Sequence, residues 1–182
     1  KLASSDLEAV RKALPETGAP RWLAEDIACD LPVDVHPEEI PAIEEAARAA
    51  LHELPIDVIA QAADGRRKRL LLADMDSTVI GQECIDELAA EAGIGHHVAE
   101  ITERAMRGEL AFEPALKERV GLLEGLPEAK MEQVFNTRIS LNPGITVVTA
   151  TMRAHGGFCA LVSGGFTFFT ARVAKAAGFN VD

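Results

Sequence analysis

No apolar run in this chain approaches membrane-spanning length, and no secretory leader is visible. The expectation is a cytoplasmic protein with no membrane partner. Positive charge is scarce, with 18 Lys and Arg against 29 Asp and Glu and a net charge of −11. That balance argues against a nucleic-acid partner, because a polyanion is bound through clustered cations. The one dense basic run, Arg66-Arg67-Lys68-Arg69, reads as a solvated junction ahead of a strand. Cysteine is also sparse. Cys29, Cys84 and Cys159 lie far apart and form no C-x-x-C pair, so neither a zinc site nor a disulfide framework is indicated. Reduced thiols are the simplest account. No internal repeat or low-complexity segment is present. The first residue is Lys1, which points to a processed or trimmed chain.

What remains is an ordinary globular composition. Apolar residues make up 48% of 182 and charged residues 26%, enough for a packed core in one domain or one and a half. Ser5-x-x-Glu8 reads as a capping box for a helix carrying Leu7, Val10 and Leu14. A strand is expected around residues 26–29. Residues 41–54 read as an amphipathic helix, stopped by Pro55, and residues 56–59 as a strand. A small α/β module over residues 1–65 is therefore expected.

Leu70-Leu71-Leu72-Ala73 reads as a buried parallel strand. Four helical stripes follow: Ile85, Leu88, Ala89 and Ala92; Val98, Ile101 and Ala105; Phe112, Leu116, Val120 and Leu123; Met131, Val134 and Phe135. They read as a small helical bundle inserted after the first strand. Asn142-Pro143 supplies an N-cap and a first-turn proline for a helix with Ile145, Val148 and Met152 inward. Residues 158–162 read as a second buried strand, and residues 166–177 as a helix. This is a βαβ grammar.

Two motifs carry chemistry. Asp74-Met75-Asp76-Ser77-Thr78 follows the first strand, where open α/β sheets place their sites. Asp74 can attack phosphorus to give an aspartyl-phosphate. Asp76 can protonate a leaving alkoxide and then deprotonate water. Mg²⁺ held by Asp74 and Asp76 would offset repulsion between carboxylate and phosphate. Ser163-Gly164-Gly165 follows the second strand and opens a helix, which makes an anion site. Each motif alone could be an ordinary polar turn; both at one end of neighbouring parallel strands define a crevice. An EF-hand starting at Asp74 fails, because Val79 and Ile85 occupy the positions that need Gly and Glu. His96-His97 beside Glu100 reads as a surface helix rather than a metal site.

The Asp74–Thr78 run resembles the first motif of the haloacid dehalogenase-like phosphatases, and Ser163-Gly164-Gly165 resembles the second. Within that superfamily the inserted helices resemble the cap of phosphoserine phosphatases. The resemblance covers roughly residues 70–182. It implies an α/β fold: a partial doubly wound parallel-sheet core over 66–182, with a helical cap at about 82–142. A small, incomplete ACT-like module would precede it. It also implies hydrolysis of O-phospho-L-serine to L-serine with Mg²⁺. Glu83 would then bind the substrate ammonium and Arg119 its carboxylate. Met106 and Phe112 would close over the substrate, and Ser163 and Gly164 would hold the phosphate.

The family's lysine motif and late acidic motif have no match here. Lys175 lies too early, and residues 179–182 read as the approach to a further strand. A core fragment with an open sheet edge and little activity by itself is expected. Two alternatives stay open: action on another small phosphomonoester, and a non-enzymatic receiver-type module. The latter would not need the helical insertion.

Overall fold

The computed structural model describes residues 1–52 and 54–180. The chain forms two compact units, Lys1–Arg67 and Lys68–Asp182.

In the first unit, α1 (Ser4–Ala13) packs on α2 (Ile40–Ala50) around buried Val10, Ala47 and Leu51. The expected Ser5–Glu8 capping box is not used. The Asp6 carboxylate instead accepts from the Ala3 backbone N–H at 2.8 Å, so the cap falls two residues earlier, at Ala3. Between the helices lie antiparallel strands β1 (Arg21–Ala24) and β2 (Ala28–Asp30), with a register shift between Trp22 and Ala24. The strand expected at 26–29 is thus half turn and half β2. α2 ends at Ala50, before the expected 54, and His52 adopts a left-handed φ of 53°. Glu53, inside the expected helix, lies outside the described residues.

Residues 56–59 are not a strand. α2 side chains bind the backbone at Val58 and, just after the segment, at Ala60. Arg48 Nη2 donates to Val58 O at 2.8 Å, and Ala60 N–H donates to Glu44 Oε2 at 3.0 Å. Ile56 and Val58 still pack on the core, so apolar pattern and burial agree while the ladder is missing.

In the second unit β3 (Leu70–Asp74) pairs in parallel with β4 (Phe158–Val162), in register from Leu70↔Phe158 to Asp74↔Val162. Among the described residues four α-helices lie between them and ahead of α7 (Ile145–Ala154): α3 (Cys84–Glu91), α4 (Gly95–Met106), α5 (Phe112–Gly121) and α6 (Glu128–Thr137). α8 (Thr167–Ala177) follows β4. One core joins them: Met75, Val79, Ile80, Cys84, Leu88, Val134, Cys159, Phe169 and Val173 are all buried.

Three readings of inward faces are corrected. The strands are not buried on both sides. Leu71, Ala73, Cys159 and Leu161 face the core, but Leu70, Leu72, Phe158 and Val162 are exposed. The two-residue side-chain period puts these on the opposite face, which no helix covers among the described residues. On α5 the buried residue is Ala115, while Phe112 and Val120 are exposed. α5 contacts α4, and its small residue rather than its large ones is the buried one. On α7 the buried residue is Thr149, and Val148 is exposed. Thr149 Oγ1 donates to Ala177 O at 2.6 Å, which satisfies a carbonyl at the end of α8.

Asn142 does not cap α7. Gly144, at φ 88°, occupies that position. The Asn142 side chain turns back to donate to Thr78 O at 2.7 Å. Of the segment expected to approach a further strand, Asn180 N–H donates to Cys159 O and Asn180 Oδ1 accepts from Cys159 N–H; Val181 and Asp182 lie outside the described residues. Among the described residues no helix is long and apolar enough to cross a membrane.

Candidate active site

Parallel pairing of Asp74 with Val162 sends both motif loops off the same end of the sheet. The loop after β3 is anchored by apolar residues. Met75 and Val79 are fully buried, and Ile80 N–H closes the loop onto Met75 O at 3.0 Å. This leaves Asp74 exposed, Asp76 half-buried and Ser77 exposed. Asp74 Oδ1 accepts from Met75 N–H at 2.8 Å. Ser77 sits at φ 51°, a left-handed conformation that a side-chain residue adopts only when its surroundings impose it. Two bonds impose it: Ser77 N–H donates to Gln82 O at 3.1 Å, and Ser77 Oγ donates to Glu83 Oε1 at 2.7 Å.

Asp76 is held from two sides. Its Oδ1 accepts from Cys84 N–H at 2.8 Å, at the start of α3, where helix amides favour a carboxylate. Its Oδ2 accepts from Ser163 Oγ at 3.4 Å. Ser163 Oγ also accepts from Gly165 N–H at 2.9 Å, which fixes the turn. A side chain at Gly165 would crowd this turn, since its Cβ would lie 3.2 Å from Ser163 Oγ and 3.3 Å from Asp76 Oδ2. At Gly164 a Cβ would meet nothing within 4 Å.

Asp76, Ser163, Glu83 and the loop carrying Asp74 are therefore brought together. Arg119, on α5, donates to Thr102 Oγ1 at 3.3 Å and Ala115 O at 3.4 Å, and makes no salt bridge among the described residues. Asp86, which sequence reasoning missed, couples these groups. Its carboxyl is pushed up, first by burial; Arg119 pulls it down, and Glu87 and Asp76 raise it further. Its place one helical turn after Glu83 was the available signal. Ser77 was missed too, because only the folded loop shows it holding Glu83. Met106, at the end of α4, and Phe112, at the start of α5, stand exposed. Lys175 is exposed on α8.

The donor set suits a hard cation only in part. Asp74 and Asp76 offer two carboxylates on one loop, with nearby backbone carbonyl oxygens, which is oxygen chemistry fit for Mg²⁺. Among the described residues no cluster of three or more His, Cys, Asp or Glu could hold a metal ion, His96 and His97 included. The two imidazoles instead meet edge to face, centroids 6.1 Å apart.

Comparison with known proteins agrees with this geometry. The phosphoserine phosphatase of Archaeoglobus fulgidus is 40% identical over 156 residues, which is 85% of this chain and 45% of that protein. The crystal structure of a probable phosphoserine phosphatase from Vibrio cholerae, in unliganded form, superposes over 99% of this chain and 55% of that one, with a TM-score of 0.69 and 28% identity. A phospho-aspartyl intermediate analogue of phosphoserine phosphatase matches 62% of this chain and 53% of that one, with a TM-score of 0.55 and 39% identity. The chain spans about half the length of the curated relatives it matches. The sequence pattern described as haloacid dehalogenase-like hydrolase matches residues 71–182, the same span that carries both motif loops, β3, β4 and the helices between them. With α/β topology, motif placement and sequence pattern in agreement, the chain belongs to the haloacid dehalogenase-like hydrolase family.

Proposed function

We propose that the protein carrying this chain hydrolyses O-phospho-L-serine to L-serine and phosphate, by way of an aspartyl-phosphate. One observation carries the reading: Ser163 Oγ lies 3.4 Å from Asp76 Oδ2, on loops leaving adjacent parallel strands. Asp74 attacks phosphorus, and the seryl oxygen leaves with a proton from Asp76. Asp76 then takes a proton from water as that water attacks the phosphorus of aspartyl-phosphate, which restores Asp74 and releases phosphate. Ser163 Oγ and the Gly164 amide hold the phosphate oxygens during both steps. Mg²⁺, held by Asp74 and the Asp76 segment, would neutralise charge between carboxylate and phosphate.

Glu83 and Arg119 are read as the amino-acid end of the pocket, binding ammonium and carboxylate. Met106 and Phe112 are read as apolar cover on a helical cap, α3–α6, which excludes water during transfer. The first unit is read as a small ACT-like module; the Vibrio cholerae structure is similar across nearly the whole chain, this unit included. The reaction would serve serine biosynthesis in the cytoplasm.

Phosphate release from phosphoserine by the full-length protein is the test. Asp74→Asn should lower kcat by at least about a thousandfold, since it removes the nucleophile. An undiminished rate in that variant overturns the assignment.

A further inference from the structure

The four-helix segment leaves the core after Ile80 and rejoins it at Leu141, and these two residues form an isolated antiparallel bridge. Backbone bonds continue on either side: Gly81 N–H donates to Ser140 O at 3.2 Å and Asn142 N–H to Val79 O at 2.9 Å. Beyond this point the ladder stops, and a side chain takes over. Gln82 Nε2 donates to Ser140 Oγ at 2.9 Å, while Gln82 Oε1 accepts from Ser140 N–H at 3.0 Å. A primary amide offers a donor and an acceptor side by side, as a peptide unit does. Gln82 therefore adds one more rung between the outgoing and returning strands.

The same residue stands at the head of a run bonded to the catalytic loop. Gln82 O accepts from Ser77 N–H at 3.1 Å. Glu83 Oε1 accepts from Ser77 Oγ at 2.7 Å, and Cys84 N–H donates to Asp76 Oδ1 at 2.8 Å. Three consecutive residues thus grip Asp76 and Ser77, and Ser140 holds the first of them by its side chain.

We infer that Gln82 is a positioning residue: by fastening the two crossing strands it sets where Glu83 stands over the Asp74–Asp76 loop, and so tunes selectivity for phosphomonoesters that carry an ammonium group. This rests on the reading of Glu83 given above. Gln82 touches no reacting atom in this arrangement. Its effect runs through Glu83, so it belongs to substrate affinity rather than to phosphoryl transfer.

The experiment compares phosphoserine with 4-nitrophenyl phosphate, which has no ammonium group, in the full-length protein and in Gln82→Leu and Ser140→Ala. Gln82→Leu keeps bulk and loses both side-chain bonds. It should raise KM for phosphoserine about five- to tenfold, the scale of one or two net hydrogen bonds, and leave kcat within about threefold. Its kcat/KM for 4-nitrophenyl phosphate should stay within about twofold of wild type. Ser140→Ala loses one bond and should give a smaller shift in the same direction. Equal losses on both substrates, or a fall in kcat alone, overturn the inference. Hydrogen exchange supplies a readout independent of substrate. In Gln82→Leu, amides of residues 76–84 and 139–142 should exchange faster, Ser140 most of all; unchanged exchange there overturns the clamp. If the wild-type protein shows no preference for phosphoserine, the functional proposal fails on its own, and hydrogen exchange still decides the clamp.

Discussion

At the scale of single residues, Cys84 shows how the site loop constrains chemistry beneath it. Its thiol is buried beside Asp76, and its pKa is pushed well above the ordinary 9.0, first by burial, then by the hydrogen bond and charge of Asp76. The neutral thiol is the form the fold accepts. The sign of the pH dependence follows. Below pH 9 the thiol is protonated both folded and unfolded, and it contributes no slope. Above pH 9 the unfolded chain releases this proton and the folded chain does not, so stability falls as pH rises. The slope approaches about 1.4 kcal/mol per pH unit from this group. Denaturant unfolding between pH 8 and pH 10.5 should show a steeper loss in wild type than in Cys84→Ala; equal slopes contradict it. The placement of Asp74, Asp76 and Ser163 at one end of the parallel strands was legible at this scale, because strand-then-loop patterning marks where an α/β sheet places polar groups. The contacts of Ser77 and Gln82 were not. Each depends on a partner fixed only when the outgoing and returning strands meet, and nothing local in Gln82 or Ser140 announces the other.

At the scale of elements, periodicity found the helices and strands of the second unit but misjudged which faces they bury. α5 is the plain case: Phe112 and Val120 were expected inward, yet Ala115 is. Hydrophobic period reports which residues could face a core; helix approach decides which do. α7 makes the same point with polarity, since Thr149 is buried because Ala177 O needs a donor. In the first unit, residues 56–59 have strand-like composition but no strand; Arg48 and Glu44 instead bond the backbone at Val58 and Ala60. α3 is where pattern and packing coincide. Leu88 is 1% exposed and joins the core shared by α6, α8 and the site loop. Leu88→Ala should cost about 2–5 kcal/mol, the range for removing a buried leucine side chain, and chemical denaturation reads it directly. Because α3 also starts at Cys84, whose N–H holds Asp76, the same variant should weaken the site before global unfolding. On the proposed activity, phosphoserine turnover by the full-length protein should therefore decline at lower denaturant than the loss of helical signal. Coincident declines would place the effect on global stability alone.

At the scale of the whole molecule, the division into Lys1–Arg67 and Lys68–Asp182 falls inside the basic run 66–69. Arg66 belongs to the first unit by chemistry as well as by position. Its guanidinium binds the Asp30 carboxylate through both Nη atoms, with Nη2 2.7 Å from Oδ1. The hydrogen bond from Arg66 holds Asp30 below the usual carboxylate range. A bidentate fork of this kind fixes backbone direction as well as charge. It ties the end of the first unit to β2, one residue before the boundary. A protease needs an extended, locally open segment, and residues 66–69 lie outside any helix or strand. Limited trypsin digestion should therefore open the chain within 66–69 before any cut in the helices of either unit, leaving two protected pieces. Asp30→Asn removes the charge partner of Arg66 and should hasten cleavage after Arg66, by about threefold or more, without changing cuts elsewhere. Early cuts within α3–α6, or an Asp30→Asn digest identical to wild type, would show that the boundary is set by something other than this clasp.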